Sequence, residues 1–91
     1  MNKNKYTIAQ ILPALNTGGV ERGVVEISKA LVENNFRSIV ISSGGHMVSQ
    51  ITRYGGIHYD LDVATKNPLK WAKIRSELKI IWESEKVVYK F

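Results

Sequence analysis

Two glycine pairs mark where this chain could do chemistry. Gly18-Gly19 separates an apolar run, residues 7–12, from an amphipathic segment that begins at Val20; Ser43-Gly44-Gly45-His46 follows a second apolar run. Glycine lets a backbone approach a ligand closely, and the free N–H groups at a helix start attract an anion such as phosphate. The plainer reading of both pairs is a tight turn. The first is not a Walker loop, which needs Gly-Lys-Ser/Thr, and it lacks the third spaced glycine of a dinucleotide fingerprint. Glu21 and Arg22 fall in the first turn of the next segment, where Glu suits the helix dipole and the pair reads as surface charge. Lys66 stands in Thr65-Lys66-Asn67-Pro68, which by itself reads as a helix cap. His46 alone makes neither a metal site nor a catalytic pair, and His58 reads as a solvent-facing strand residue. Two histidines and no cysteine give no convincing metal site. No residue is assigned a catalytic role.

The elements that must hold these loops follow from periodicity. Residues 7–12 are apolar with one polar break and run into Pro, Asn and Gly signals, which predicts a buried strand. Val20, Val24, Ile27 and Leu31 repeat at helical spacing, so residues 20–34 are expected to form a helix with that row inward, stopped at Asn34-Asn35. Ile39, Val40 and Ile41 predict a second buried strand within residues 38–42. Residues 47–54 suit a short helix closed by Gly55-Gly56. Residues 57–63 alternate, with Ile57, Tyr59, Leu61 and Val63 on one face, which predicts an edge or half-covered strand. Asn67 and Pro68 open a further helix over residues 69–83, with Trp71, Ile74, Leu78 and Ile81 as its apolar row. Val87-Val88-Tyr89 could begin a fourth strand. The order β-α-β-α-β-α-β implies an α/β fold with a parallel sheet, right-handed crossovers and helices on both faces. In such a sheet ligands bind outside the carboxyl ends of the strands, where both glycine loops and residues 64–67 lie.

Composition narrows the class. Ninety-one residues bound one small domain with a thin core. A hydrophobic share of 44% and a charged share of 23% argue against disorder. The absence of cysteine excludes disulfides and thiolate metal sites and fits a reducing compartment. No apolar run approaches the roughly 18 residues of a membrane span. The basic N-terminus leads into an apolar stretch that Pro13 and Asn16 break too soon for a signal peptide, so a cytoplasmic protein is expected. Net charge is +5, and Lys66, Lys70, Lys73, Arg75 and Lys79 face only Glu77 in their segment. That bias could favour phosphates, an anionic membrane surface or nucleic acid. Trp71 and Trp82 on the basic helix read most simply as core packing, with membrane adsorption as the alternative. Nucleic acid is disfavoured, because the aromatics take helical positions rather than lining an exposed strand.

The stretch from Ile11 to Gly23, Ile-Leu-Pro-Ala-Leu-Asn-Thr-Gly-Gly-Val-Glu-Arg-Gly, closely resembles the opening of family 4 glycosyltransferases. The likeness continues through Ser42-Ser43-Gly44-Gly45, through Gly55 to Leu61, and through Thr65-Lys66-Asn67-Pro68-Leu69, so that it covers roughly residues 7–86. It implies a GT-B enzyme in which two Rossmann-like domains face a cleft. The N-terminal domain receives the acceptor and the C-terminal domain holds a nucleotide-sugar. A hexose is transferred with retention, without a metal or resident cofactor, and the bacterial envelope-sugar subgroup suggests a cell-envelope glycan or lipid acceptor. Carried over, the resemblance places Gly18 and Gly19 at the substrate site, with Glu21 and Arg22 beside them. Gly44 and Gly45 would border the acceptor, and Lys66 would lie on the same rim.

The departures shape the expectation. The family continues after the third helix with a strand and a histidine, where this sequence reads Glu85-Lys86-Val87-Val88-Tyr89-Lys90-Phe91. Residues 1–91 are therefore expected to be an incomplete N-terminal domain without the C-terminal nucleotide-sugar domain, inactive alone. It would be cytoplasmic or peripheral at the cytoplasmic face of the inner membrane. The alternatives are one subunit of a split glycosyltransferase completed by a C-terminal fragment, or a non-catalytic module binding phosphate or a membrane surface. A half-sheet leaves an open edge, so a marginal fold prone to self-association is expected.

Overall fold

The computed structural model describes residues 6–12, 19–63 and 65–90. Seven elements follow one another: β1 (Thr7–Ile11), α1 (Gly19–Glu33), β2 (Arg37–Ser42), α2 (Val48–Arg53), β3 (Ile57–Asp60), α3 (Pro68–Glu85) and β4 (Val87–Lys90). The strands form one sheet in the order β3-β2-β1-β4, and each neighbouring pair is parallel. This is the α/β architecture expected from the alternation of elements. The strand order adds what the sequence left open: the chain steps outward from β1 to β3, then returns to place β4 on the other side of β1.

The pleat sorts side chains onto two covered faces. Leu12 of the strand exit and Val40 of β2 meet Val25 of α1 and Met47 and Ile51 around α2. On the opposite face Ala9, Ile39 and Ile41 meet Ile81 of α3, with Leu78, Trp82, Ile57, Tyr59, Leu61 and Val63 packed around them. Thus α1 and α2 cover one face and α3 covers the other. The row on α3 was legible: Ile74 and Ile81 are buried and Leu78 is half-buried. Asn67 caps α3 as expected, its side chain accepting the Leu69 N–H at 2.9 Å, with Pro68 in the first turn.

α1 turns only part of the expected row inward: Val24 packs against the core and Leu31 is half-buried. Val25 and Ser28 are buried, whereas Val20 and Ile27 are 74% and 42% exposed. A small side chain, Ser28, stands at the contact with the sheet. Its hydroxyl meets that of Ser38 on β2 at 2.8 Å, and both residues are buried. The helix approaches so closely there that a Cβ on Gly56 would stand 2.7 Å from Ser28 Oγ. Asn35 ends α1 in the left-handed region with φ 67°, and Lys86 does the same for α3 with φ 54°.

Three polar side chains tie the sheet to α3. Arg37 at the start of β2 donates through Nε to Glu85 at 2.5 Å, and Tyr59 of β3 donates to the same carboxylate. The Arg37 guanidinium holds the Glu85 carboxyl below its ordinary range, and the bond to Glu85 pushes the Tyr59 phenol up. None of the described residues forms a helix long and apolar enough to cross a membrane.

Candidate functional site

Three connections leave the carboxyl ends of β1, β2 and β3, and because these strands are parallel neighbours their exits form one rim. Backbone bonds carry the alignment past the strands themselves: Leu12 N–H donates to Ile41 O at 3.0 Å, and Leu61 N–H donates to Ser42 O at 2.9 Å. In an open sheet of this kind the crevice for ligands lies at the switch point, where consecutive crossovers leave in opposite directions. Here that point is between β1 and β4. It ranks the expected residues. The end of β1 borders the crevice, the β2 exit lies one strand away, and the β3 exit lies two.

Gly19 is the first residue of α1 and is exposed, with Glu21 half-buried in the first turn and Arg22 exposed. A Cβ added at Gly19 would meet no described atom within 4 Å, and its backbone does not occupy the left-handed region. Neither sterics nor φ demands glycine at this position. Gly18 lies outside the described residues. Gly44 and Gly45 differ: with φ of 101° and 139° they take backbone conformations that favour glycine, so the tight-turn reading of this second pair has direct support. Lys66 is exposed in the connection to α3, whose neighbour Thr65 accepts the Trp71 indole N–H through its carbonyl at 2.6 Å. By position in the chain, Gly19, Glu21 and Arg22 follow β1, Gly44 and Gly45 follow β2, and Lys66 follows β3.

A polar group that the alternation pattern misassigned supports the middle of this rim. Ser42 is fully buried at the end of β2; its hydroxyl accepts the Gly44 N–H at 3.1 Å and lies 2.7 Å from Nε2 of His58. His58 is therefore partnered rather than solvent-facing, because its side of the sheet is the side that α1 and α2 cover. Burial pushes its pKa down, opposed by the charge of Asp60. The imidazole and the Ser42 hydroxyl share a hydrogen bond whose direction follows the ring tautomer, and the hydroxyl oxygen accepts the Gly44 N–H. A serine two residues before a glycine pair, beside a histidine on the next parallel strand, was the available signal.

Open grooves lie elsewhere. Two adjoining hollows of about 270 and 260 Å³ run between β3 and α3, sharing Asp60, Leu61 and Glu77. Neither is lined by Gly19, Gly44, Gly45 or Lys66. Among the described residues β3 has no strand neighbour on that side. Among the described residues no three His, Asp or Glu side chains converge in a way that could hold a metal ion.

The fold defines a class: a partial Rossmann-like parallel sheet whose first helix begins at Gly19. The comparison with solved structures then gives a particular relative. The crystal structure of a glycosyltransferase from Rickettsia africae ESF-5 matches 96% of this chain with a TM-score of 0.84 and 34% sequence identity. The chain spans 23% of the length of that protein. No protein-family model matches the chain, and no curated protein matches it. The 91 residues are thus similar, in sequence and in fold, to one segment of a glycosyltransferase.

Proposed function

We propose that residues 1–91 form the acceptor-side part of the N-terminal domain of a GT-B glycosyltransferase of family 4. This enzyme would transfer a hexose with retention from a nucleotide-sugar to a cell-envelope glycan or lipid. The observation that carries the reading is Gly19: a glycine that starts the fifteen-residue helix after β1, with no described atom within 4 Å of where a side chain would stand. The similarity to a segment of a glycosyltransferase supports it. In this role the first N–H groups of α1 meet the phosphates of the donor, and the absent side chain lets them come close. Arg22 adds a positive charge at the same helix start. Gly44 and Gly45, fixed by Ser42 and His58, border the acceptor. The donor is gripped by a second wall that these 91 residues do not contain, so the segment alone binds weakly and transfers nothing.

A transfer assay tests this. The 91-residue chain alone is expected to transfer no sugar from any nucleotide-sugar. Inserted in place of the matching segment of a GT-B glycosyltransferase, it is expected to restore transfer. Gly19→Val in that chimaera should lower kcat/KM by about a hundredfold while the fold persists, since the rate depends on close placement of reacting groups. Transfer by the isolated chain, or a chimaera indifferent to Gly19→Val, would refute the reading.

A further inference from the structure

α3 leaves one flank without a partner. Ile74, Leu78 and Ile81 meet the sheet, and Trp71 and Trp82 turn the same way, the first bonding Thr65 O through its indole and the second packing into the core. The flank that overlooks the β3 edge carries Lys70, Lys73, Glu77 and Ile80, which line the two hollows there. The hollow at Ile80 has an apolar floor of Tyr59, Leu61 and Ile81, and its charged groups, Asp60 and Glu77, are both acidic. Leu69 is 83% exposed and Ile80 is 64% exposed. They stand about three helical turns apart, roughly 16 Å along the axis, and so lie on nearly the same line. Lys73 and Glu77 stand between them. Among the described residues the one ion pair joins Arg37 to Glu85, so neither Lys73 nor Glu77 has an ion-pair partner.

We propose that this flank pairs with itself: two copies of the chain associate through antiparallel α3 helices about a two-fold axis. Leu69 of one copy enters the hollow at Ile80 of the other, and Lys73 of one meets Glu77 of the other. A two-fold interface is self-complementary, so residue i meets j while j meets i. Antiparallel helices achieve this when all their contacts share one midpoint. The midpoint of Leu69 and Ile80 falls between Ile74 and Arg75, and that of Lys73 and Glu77 falls at Arg75. Less than ~1 Å of helix rise separates the two, so one axis serves both contacts. The charges select the same occupant. Carboxylates alone rim the hollow at Ile80, and the leucine that fills it is followed by Lys70 and Lys73. Asn67 holds the Leu69 N–H at 2.9 Å, so that leucine sits on a capped turn. Strand pairing at the same edge is disfavoured, because β3 is four residues long and carries an exposed Asp60. This pairing is independent of the glycine rim, since it uses the side of α3 and not the strand exits.

Sedimentation equilibrium of the 91-residue chain and its charge-exchanged variants decides it. The parent chain is expected to pass from monomer to dimer as its concentration rises through the micromolar range. Leu69→Ser with Ile80→Ser should raise the dissociation constant about a hundredfold, since both apolar contacts of the dimer are lost. Both positions are exposed, so circular dichroism is expected to stay unchanged. Lys73→Glu alone and Glu77→Lys alone should each raise the constant on the order of tenfold or more, because each sets like charges against one another across the axis. An equimolar mixture of these two variants should dimerise again, since every acidic side chain then faces a basic one. Recovery on mixing separates a lost contact from a misfolded chain. A parent chain that stays monomeric to millimolar concentration would overturn the proposal. So would a dimer that survives Leu69→Ser with Ile80→Ser, or single-charge variants that remain monomers when mixed.

Discussion

Replacing Gly56 by alanine tests the tightest joint of the fold. The new Cβ would lie 2.7 Å from Ser28 Oγ, 2.9 Å from Ile51 Cγ2 and 3.1 Å from Ile51 O. Real Cβ atoms do not sit so close, and none of the three neighbours yields easily. Ser28 and Ile51 are fully buried, and Ile51 O is backbone that already accepts the Gly56 N–H at 2.9 Å. Overpacking of this kind costs about 1–3 kcal/mol. If α1 retreats to make room, it also stretches the buried Ser28–Ser38 hydroxyl pair, whose loss costs a further ~1–3 kcal/mol. The sum is about 2–6 kcal/mol, a large fraction of the stability of a small domain and a fall in Tm of roughly 10 °C or more. Urea titration of Gly56→Ala against the parent chain reads it directly. Gly19→Ala is the control. Its Cβ meets no described atom, and it replaces glycine in a helix turn, so stability should hold or rise by up to about 1 kcal/mol. A Gly56→Ala chain within about 0.5 kcal/mol of the parent would refute the close approach of α1.

Other expectations follow from the polar contacts. Glu85→Gln breaks the joint held by Arg37 and Tyr59 and should destabilise by about 1–2 kcal/mol in urea, the partial exposure of Arg37 screening the rest. Because Arg37 holds the Glu85 carboxyl below its ordinary 4.5, this contribution is full above that pH and is lost as pH falls through the lowered folded value; a parent chain whose acid unfolding matches that of Glu85→Gln would contradict it. His58 works in the same direction for a different cause. Its folded pKa lies below the ordinary 6.5 through burial, so the unfolded chain binds the extra proton and stability falls as pH drops below 6.5 toward the folded value. Proton NMR of the imidazole should show this depressed titration, and Ser42→Ala should broaden the Gly44 amide resonance as its acceptor is lost. Asn67→Ala should cost α3 about 1 kcal/mol, read by thermal unfolding, through loss of the bond to the Leu69 N–H.

The order of elements was legible because each announced itself by period: β-branched runs for β1 and β2, threes and fours for α3, alternation for β3. The strand order was not, since nothing local in Val87-Val88-Tyr89 says that β4 lies beside β1 rather than beyond β3. The facing of α1 misled for a physical reason. Valine, isoleucine and leucine spread over a wide arc of that helix, and the arc that turns inward includes a small polar residue, Ser28, which hydrophobic counting ignores. His58 misled because alternation assigns a polar residue to solvent, whereas a parallel sheet has no solvent face. At the rim, Gly18 and Gly19 were visible as a pair, yet only the backbone separates Gly44 and Gly45, which positive φ explains, from Gly19, which it does not.

That difference is also what the central claim rests on. Amide NMR of the isotopically labelled chain, titrated with a nucleoside diphosphate sugar to millimolar concentration, tests it most directly. If these residues are the acceptor-side wall of a glycosyltransferase, shifts gather at Gly19 through Arg22, weaken toward Gly44 and Gly45, and fade at Lys66, following the order of the strands from the switch point. Shifts confined to the groove between β3 and α3, or none at all, would contradict it.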